Sequence, residues 1–346
     1  MKKKKNDDNI VRKSFISSII FLALVMVVFY FIFKENNYKE VSLILKNSNY
    51  IYLLFAIICM SCFSIGEALN LKTSLSVLGD KVTFKNAYKY ALSGFFVASI
   101  TPSSTGGDPM QLYLMAKDNI KVSHGIITLL LKLLAYEFVL MFIAVFGFIN
   151  CHSIFLSSLG NLKYLAFLGI FLNFLVGTLY FLLVFFKPVV LFLVEIIARL
   201  LNKVHYKNTK KVKANLLKQV DEFSEASIYL KQNKKIFVKM FLITLAQMLL
   251  YHSIPYFVYL SLGFSDYSVI TFISIQSLLF ASVSSLPFPG AVGVSEATFM
   301  KIYKTMFPKN ILGSAMVITR FVNFYIFVLY AGVMMVFYIL KDNFKE

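Results

Sequence analysis

The sequence predicts an all-α polytopic membrane protein: about six spanning helices plus two oppositely oriented re-entrant hairpins, arranged as an inverted repeat. Eight plain spans is the alternative arrangement. Three observations carry the prediction. Of the 346 residues 58% are hydrophobic and only 15% are charged, too few to cover a soluble chain of this length. Several apolar runs reach the roughly 20 residues that cross a bilayer. And two of the apolar regions are interrupted by polar, helix-breaking clusters, "SITPSSTGGDPMQLYLM" at 99–115 and "FASVSSLPFPGAVGVSEATF" at 280–299.

In chain order, "MKKKKNDDNIVRK" is a basic tail over residues 1–13, and the apolar run 14–33 follows it. That run lacks a small-x-small cleavage site before Lys34, so it reads as an uncleaved first span with the N-terminus inside. Further apolar segments lie at about 51–69, 86–101, 125–149, 162–186, 236–262, 268–287 and 311–340. With no tryptophan, the interfacial belt falls to the 20 tyrosines. Cys59 and Cys62 form a C-x-x-C inside an apolar helix, a packing position, and Cys151 stands alone.

Topology follows from basic residues. Residues 187–239 hold twelve Lys or Arg, whereas 150–163 holds one Lys and "GFSDY" at 263–267 holds none. The first is therefore expected in the cytoplasm and the other two outside, which puts both termini inside a cell membrane crossed many times. The formal charge of +18 reads as this bias toward anionic lipid, not as nucleic-acid binding. In the basic loop 187–235, Val212, Leu216, Val220, Phe223 and Leu230 recur at helical spacing among lysines, predicting an amphipathic helix on the inner leaflet. The whole chain, 1–346, reads as one integral membrane domain with no soluble catalytic domain.

On this topology residues 86–123 begin and end inside, while 268–310 begin and end outside. Each holds Phe, Ala and Ser leading to Pro, then glycines, an acid and a further helix. Irregular backbone survives at membrane depth only where protein buries it or a wet cavity receives it. Two such hairpins of opposite sense suggest a site between the halves near the midplane. Lys301, Lys304 and Lys309 on the outer side favour the alternative of two ordinary spans.

Ionisable residues inside spans cost on the order of 3 kcal/mol or more unless paired or hydrated. Lys132, Glu137, Arg320 and His252 are the candidates. Lys132 lies five residues from Glu137 and on another face, so Arg320 is the expected partner of Glu137, with Asn323 on the same stripe. The pair serves either as structural glue or in a substrate path. His252 is expected to be a hydrogen-bonded packing residue, and Glu67 to sit at a helix end among headgroups. Gly106, Gly107, Gly290 and Gly293 permit positive φ and close approach, and the amides they free suit an anion. Asp108 and Glu296 fit as caps of the following half-helices or as contacts for a cationic headgroup. "TPSSTGGD" lacks the G-x-x-x-x-G-K-[ST] pattern, so no nucleotide site is expected, and no cofactor or metal is implied.

"TPSSTGGDPMQLYLM" with "KLLAYE", then "PFPGAVGVSEATF" and "ITRFVNFY", resembles the lysylphosphatidylglycerol synthase transmembrane-region family, a flippase-like group, over nearly the whole chain. The resemblance maps the family's two motifs onto Pro102, Gly106, Gly107 and Asp108, and onto Pro287, Pro289, Gly290, Gly293 and Glu296; Thr105, beside the first, is a further headgroup-binding candidate. It matches Arg320 to the basic residue of the last helix. Ala291 replaces a common second glycine, and Lys132 stands where many members carry arginine. Members fused to an aminoacyl-tRNA-dependent domain make and translocate lysylated phosphatidylglycerol, which protects against cationic antimicrobial peptides. The resemblance therefore implies translocation of a phospholipid or lipid-linked headgroup, with anionic phospholipids and a separate lipid-modifying synthase or glycosyltransferase as partners. The alternatives are a phosphatidylglycerol lysyltransferase, a lipid-linked glycosyltransferase, or a membrane subunit of such an enzyme. No nucleophile–base constellation or D-x-D on the basic loop supports catalysis.

Overall fold

The structure, a computed structural model, describes residues 38–101, 104–203, 209–284 and 294–343. The tail 1–13, the apolar run 14–33, Pro102, and the stretch with Pro287, Pro289, Gly290, Ala291 and Gly293 lie outside the described residues.

All of the described regular structure is helical. A short helix α1 (Tyr38–Lys46) leads into α2 (Tyr50–Val77), which Asn49 caps by accepting from the Ile51 amide. Two shorter helices follow, α3 (Phe84–Ile100) and α4 (Gly107–Lys117), then the long α5 (Val122–Leu159) and α6 (Lys163–Phe185). The basic loop forms α7 (Lys187–Lys203) and α8 (Thr209–Gln232). The second half repeats the first: long α9 (Lys235–Ser261), short α10 (Val269–Val283) and α11 (Val294–Ile302), then α12 (Lys309–Arg320). A π-helical turn, Phe321–Tyr325, joins α12 to α13 (Ile326–Asn343).

Five stretches are long and apolar enough to cross a membrane: α2, α5, α6, α9 and Lys309–Tyr338. These match five of the six expected spans; the sixth, the run 14–33, lies outside the described residues. The short helices α4 and α11 rise only about 17 and 14 Å at 1.5 Å per residue, well under the roughly 30 Å hydrocarbon core. They are half-helices. Gly107 packs on Gly94 and Ala98, and Lys89 reaches Asp118 at 3.1 Å, so α3 and α4 run antiparallel as a zipped hairpin. Likewise the Tyr303 hydroxyl donates to Gln276 at 2.9 Å, and Phe272 meets Phe307, pairing α10 with the chain of α11.

The two halves are copies in opposite orientation. Leu78-Gly79 and Leu262-Gly263 end α2 and α9, with the glycines at φ 89° and 86°. Thr83 caps α3 by accepting from the Asn86 amide, and Ser268 caps α10 by accepting from the Thr271 amide. Asn70 donates to Thr244 at 2.9 Å, while the Asn49 amide donates to the Ser261 carbonyl at 2.8 Å, so α2 and α9 run antiparallel. Each hairpin then packs on the other half's long helix: the Tyr88 hydroxyl meets Tyr330 across α3 and α13, and Ser277 donates to the Ile143 carbonyl across α10 and α5.

Glycines set the closest approaches. A Cβ on Gly169 of α6 would collide with the Ser282 carbonyl of α10, and one on Gly147 would stand 2.6 Å from the Ser274 carbonyl. Asn173 of α6 donates to the Ala281 carbonyl at 2.6 Å and accepts from Ser284 at 3.1 Å, which satisfies backbone freed where α10 stops in mid-membrane.

The basic loop departs from expectation in holding two helices. Lys187 pairs with Asp221 and Lys213 with Glu195, and the buried Phe223 packs with Ile127 and Val184, so the α7–α8 pair docks on the bundle. Lys213 holds the partly exposed Glu195 carboxyl below its ordinary range by hydrogen bonding and charge.

Candidate functional site

The 38-residue α5 carries Lys132 about ten residues from its start, some 15 Å along the axis and so near the depth of a bilayer midplane. Lys132 is buried, and its ammonium lies 2.9 Å from Glu67 on α2, 2.9 Å from Asp108 on α4 and 3.0 Å from the Gln111 carbonyl oxygen. Glu67 is thus an interior residue, not a headgroup-facing helix end. The sequence-based span closed at 69, whereas α2 runs on to Val77 and places Glu67 well inside it.

Arg320 sits about eleven residues into α12 and donates through Nε to Glu296 at 2.6 Å, with its guanidinium over the Phe324 ring at 5.1 Å. The expected Arg320–Glu137 pair does not form. Glu137 faces the other way, its Cβ beside Gly177 of α6, and its Oε2 is buried with no hydrogen-bond partner among the described residues. Asp108 and Glu296 are first-turn residues rather than caps, for Gly106 occupies the N-cap of α4. A carboxylate there gains from the helix dipole and is also the counter-ion of the next helix's cation.

The two pairs are equivalent. Asp108 to Lys132 and Glu296 to Arg320 each span 24 residues. Glu296 and Arg320 each lie 188 positions beyond their counterparts, against 185 for Thr83 and Ser268, because the second Pro/Gly break is longer. Beside each pair opens a cavity of about 220 Å³. Glu67, Phe95, Asp108, Gln111 and Lys132 line the first; their equivalents Tyr251, Phe280, Glu296, Phe299 and Arg320 line the second. Phe63, Phe95, Ser104 and Tyr136 border both. Ser104, at the tip of the first hairpin, takes a left-handed φ of 55°.

The cavities differ in charge. Among the described residues, the first sets one ammonium against two carboxylates and the second one guanidinium against one carboxylate. Asn323 borders the second, and its buried side-chain oxygen has no partner among the described residues.

Of the residues expected at a site, the structure gathers Gly107, Asp108 and Lys132 at the first cavity, and Glu296, Arg320 and Asn323 at the second. Thr105 is exposed at the hairpin tip and Glu137 lies apart. Gly106 and Gly107 do not adopt positive φ, and the Gly106 amide donates to Thr101 at 3.0 Å, so it is not available to an anion. Their role is contact: a Cβ on Gly107 would stand 2.9 Å from the Gly94 carbonyl. His252 is fully buried beside the rings of Tyr251 and Phe280, and neither ring nitrogen has a partner among the described residues, contrary to the expected hydrogen bond. Glu67, Gln111, Gln276 and the aromatic wall were missed. The 24-residue acid-to-base spacing repeated at 188 positions was the signal that could have found the pairing.

A family described as "Lysylphosphatidylglycerol synthase TM region" matches residues 16–331. A relative named "UPF0104 membrane protein", from Archaeoglobus fulgidus, is 22% identical over 319 residues, covering 91% of this chain and 95% of that protein.

Proposed function

The chain belongs to the lysylphosphatidylglycerol synthase TM region family, and from that premise we propose that it translocates the polar head of a phospholipid or lipid-linked group across the cell membrane. The observation that carries the reading is the pair of symmetry-equivalent interior cavities, each with a cation held by a carboxylate at midplane depth. Antiparallel repeats around such cavities are the build of a transporter with its site between the halves.

The charges favour a head that carries both signs. The carboxylates of Glu67 and Asp108 exceed Lys132 by one negative charge, which suits an ammonium group. Arg320 offers a planar fork on which a phosphate oxygen can join Glu296, and the unmet polar atom of Asn323 suits a head hydroxyl or its oxygen. Lysylphosphatidylglycerol has this pattern, and a separate synthase would supply it. The basic α7–α8 face fits the cytoplasmic leaflet, with both termini on that side.

The test is reconstitution. Vesicles containing the protein and a trace of head-intact, tail-labelled lipid are treated with a membrane-impermeant quencher, in parallel arms with phosphatidylglycerol, phosphatidylethanolamine and lysylphosphatidylglycerol. Movement is expected for amine-bearing heads above protein-free vesicles. Rates equal to protein-free vesicles for every lipid would overturn the reading.

A further inference from the structure

Away from the two interior cavities, a third of about 550 Å³ opens in the seam between α2 and α9, at the end of the bundle where α8 leads into α9. Lys72 and Thr73 of α2 line it together with Lys235 and Lys239 of α9, and Ser76 stands beside them. The lining holds no acid, and among the described residues no ion pair takes up any of the three ammonium groups. Its depth is that of lipid headgroups. Helix α9, with 27 residues, rises about 40 Å, close to the thickness of a bilayer with its headgroup layers, and Lys239 lies only about 6 Å from its start. Lys72, five residues before the end of α2, stands at a matching height. Toward the midplane Leu69 and Ile243 take over the lining, and the exposed Ile65, one turn from Leu69 on the same face, continues the apolar seam.

The repeat separates this groove from an ordinary gap between two packed helices. The opposite end of the same seam is its copy, at the 184-position offset of Gly263 from Gly79. There Tyr256 and Phe257 stand in the places of Lys72 and Thr73, and Phe55 in that of Lys239, with Phe55 stacked on Phe257 at 5.8 Å. One end of the seam carries stacked rings; the other carries three cations around an open volume. A topological bias asks for lysines on one side of the membrane, but not that three converge on one cavity from two helices.

We infer that this groove binds an anionic phospholipid whose head carries two phosphates, in the leaflet on which α7 and α8 lie and apart from the cavities of Lys132 and Arg320. Three ammonium groups exceed what one phosphodiester neutralises, and basic pockets between spanning helices at this depth suit heads of multiple charge. Lys235 and Lys239 stand one turn apart on α9 and Lys72 lies across from them on α2, so two phosphates find separate partners, while Thr73 and Ser76 offer hydroxyls to their oxygens. The acyl chains follow the seam past Leu69 and Ile243. A lipid held there bridges the two long helices that pair the repeats.

The test uses the full chain in detergent micelles, with diphosphatidylglycerol, phosphatidylglycerol or phosphatidylcholine added at equal phosphate. An amine-acetylating reagent is applied and labelling is read by peptide mass spectrometry, with the exposed Lys81 and Lys85 as references. Diphosphatidylglycerol is expected to protect Lys72, Lys235 and Lys239 and to leave Lys81 and Lys85 reactive; phosphatidylglycerol should protect less, and phosphatidylcholine not at all. In native mass spectrometry, Lys72→Gln/Lys235→Gln/Lys239→Gln should lose bound diphosphatidylglycerol, whereas Lys81→Gln/Lys85→Gln/Lys121→Gln, equal in charge, should keep it. Labelling of all five lysines unchanged by lipid overturns the site, and this arm uses the native chain, so it decides even where a variant fails to fold. Retention by the first variant, or equal loss from both, reduces the effect to diffuse attraction and overturns it too. Equal protection by phosphatidylglycerol overturns the two-phosphate head. Soluble pyrophosphate in a parallel arm tells a free anion from a lipid: full protection by it reassigns the groove to a soluble diphosphate and overturns the lipid. No lipid movement enters these readouts, so the groove and the proposed function can each fail with the other standing.

Discussion

Lys132 and Arg320 occupy the same place in two copies of one folding unit, each gripping a carboxylate 24 residues before it on the first turn of a half-helix. The copies run in opposite directions, as the antiparallel contacts of α2 with α9 require. Each pair stands beside a cavity of about 220 Å³, and the proposed translocation rests on that arrangement.

Lys132 is the counter-ion of two acids, so its removal leaves both uncompensated in a low-dielectric interior. Lys132→Met is expected to lower stability by about 3–5 kcal/mol, the usual cost of breaking a buried pair. Adding Glu67→Gln and Asp108→Asn should recover most of that. Thermal unfolding in detergent reads the difference; no recovery in the triple variant would mean that Lys132 stabilises by packing.

Helix α10 is held between α5 and α6 by backbone contact. In Gly169→Ala the new Cβ meets the Ser282 carbonyl, which is main chain and cannot swing aside, so a loss of about 1–3 kcal/mol or more is expected. Gly313→Ala on α12 is the control, because a Cβ there meets nothing within 4 Å. It should be neutral or add up to about 1 kcal/mol of helix stability. Equal unfolding of the two variants would contradict the packing described.

His252 has both nitrogens unmet among the described residues and aromatic rings on two sides. A buried polar group without partners weakens a fold, so His252→Phe is expected to melt at or above the native temperature with lipid movement unchanged. A folded His252→Phe protein that has lost movement would give the imidazole a working role.

The long spans and both breaks were legible because apolar length and Pro/Gly clusters are local signals. Helix ends were less so. Closing the second span at 69 put Glu67 among headgroups, although the chain stays helical to Val77. Which charge meets which was not legible at all: Lys132 and Glu137 are close in sequence but point apart, and Arg320 chooses Glu296 because the half-helix turns that acid toward α12. Local spacing limits which face a residue takes. The partner comes from tertiary folding.

Orientation is tested by labelling. Ser157→Cys in the last turn of α5 should react with an impermeant thiol reagent added from outside, and Gln232→Cys at the end of α8 only after the membrane is opened. The reverse pattern would place the basic helices α7 and α8 outside and overturn the charge-based topology.

The most direct measurement compares Arg320→Ala with Arg320→Ala/Glu296→Gln in reconstituted vesicles, at equal amounts of folded protein. Removing the guanidinium alone takes from Glu296 the cation that it meets at 2.6 Å, so that variant should lose both stability and activity. The double variant removes both charges of the pair and should regain its stability. If Arg320 receives the lipid phosphate, the double variant folds yet moves lipid no faster than protein-free vesicles. A double variant that folds and moves lipid at the native rate would show that Arg320 serves only to neutralise Glu296, and would contradict the phosphate-binding role proposed for it.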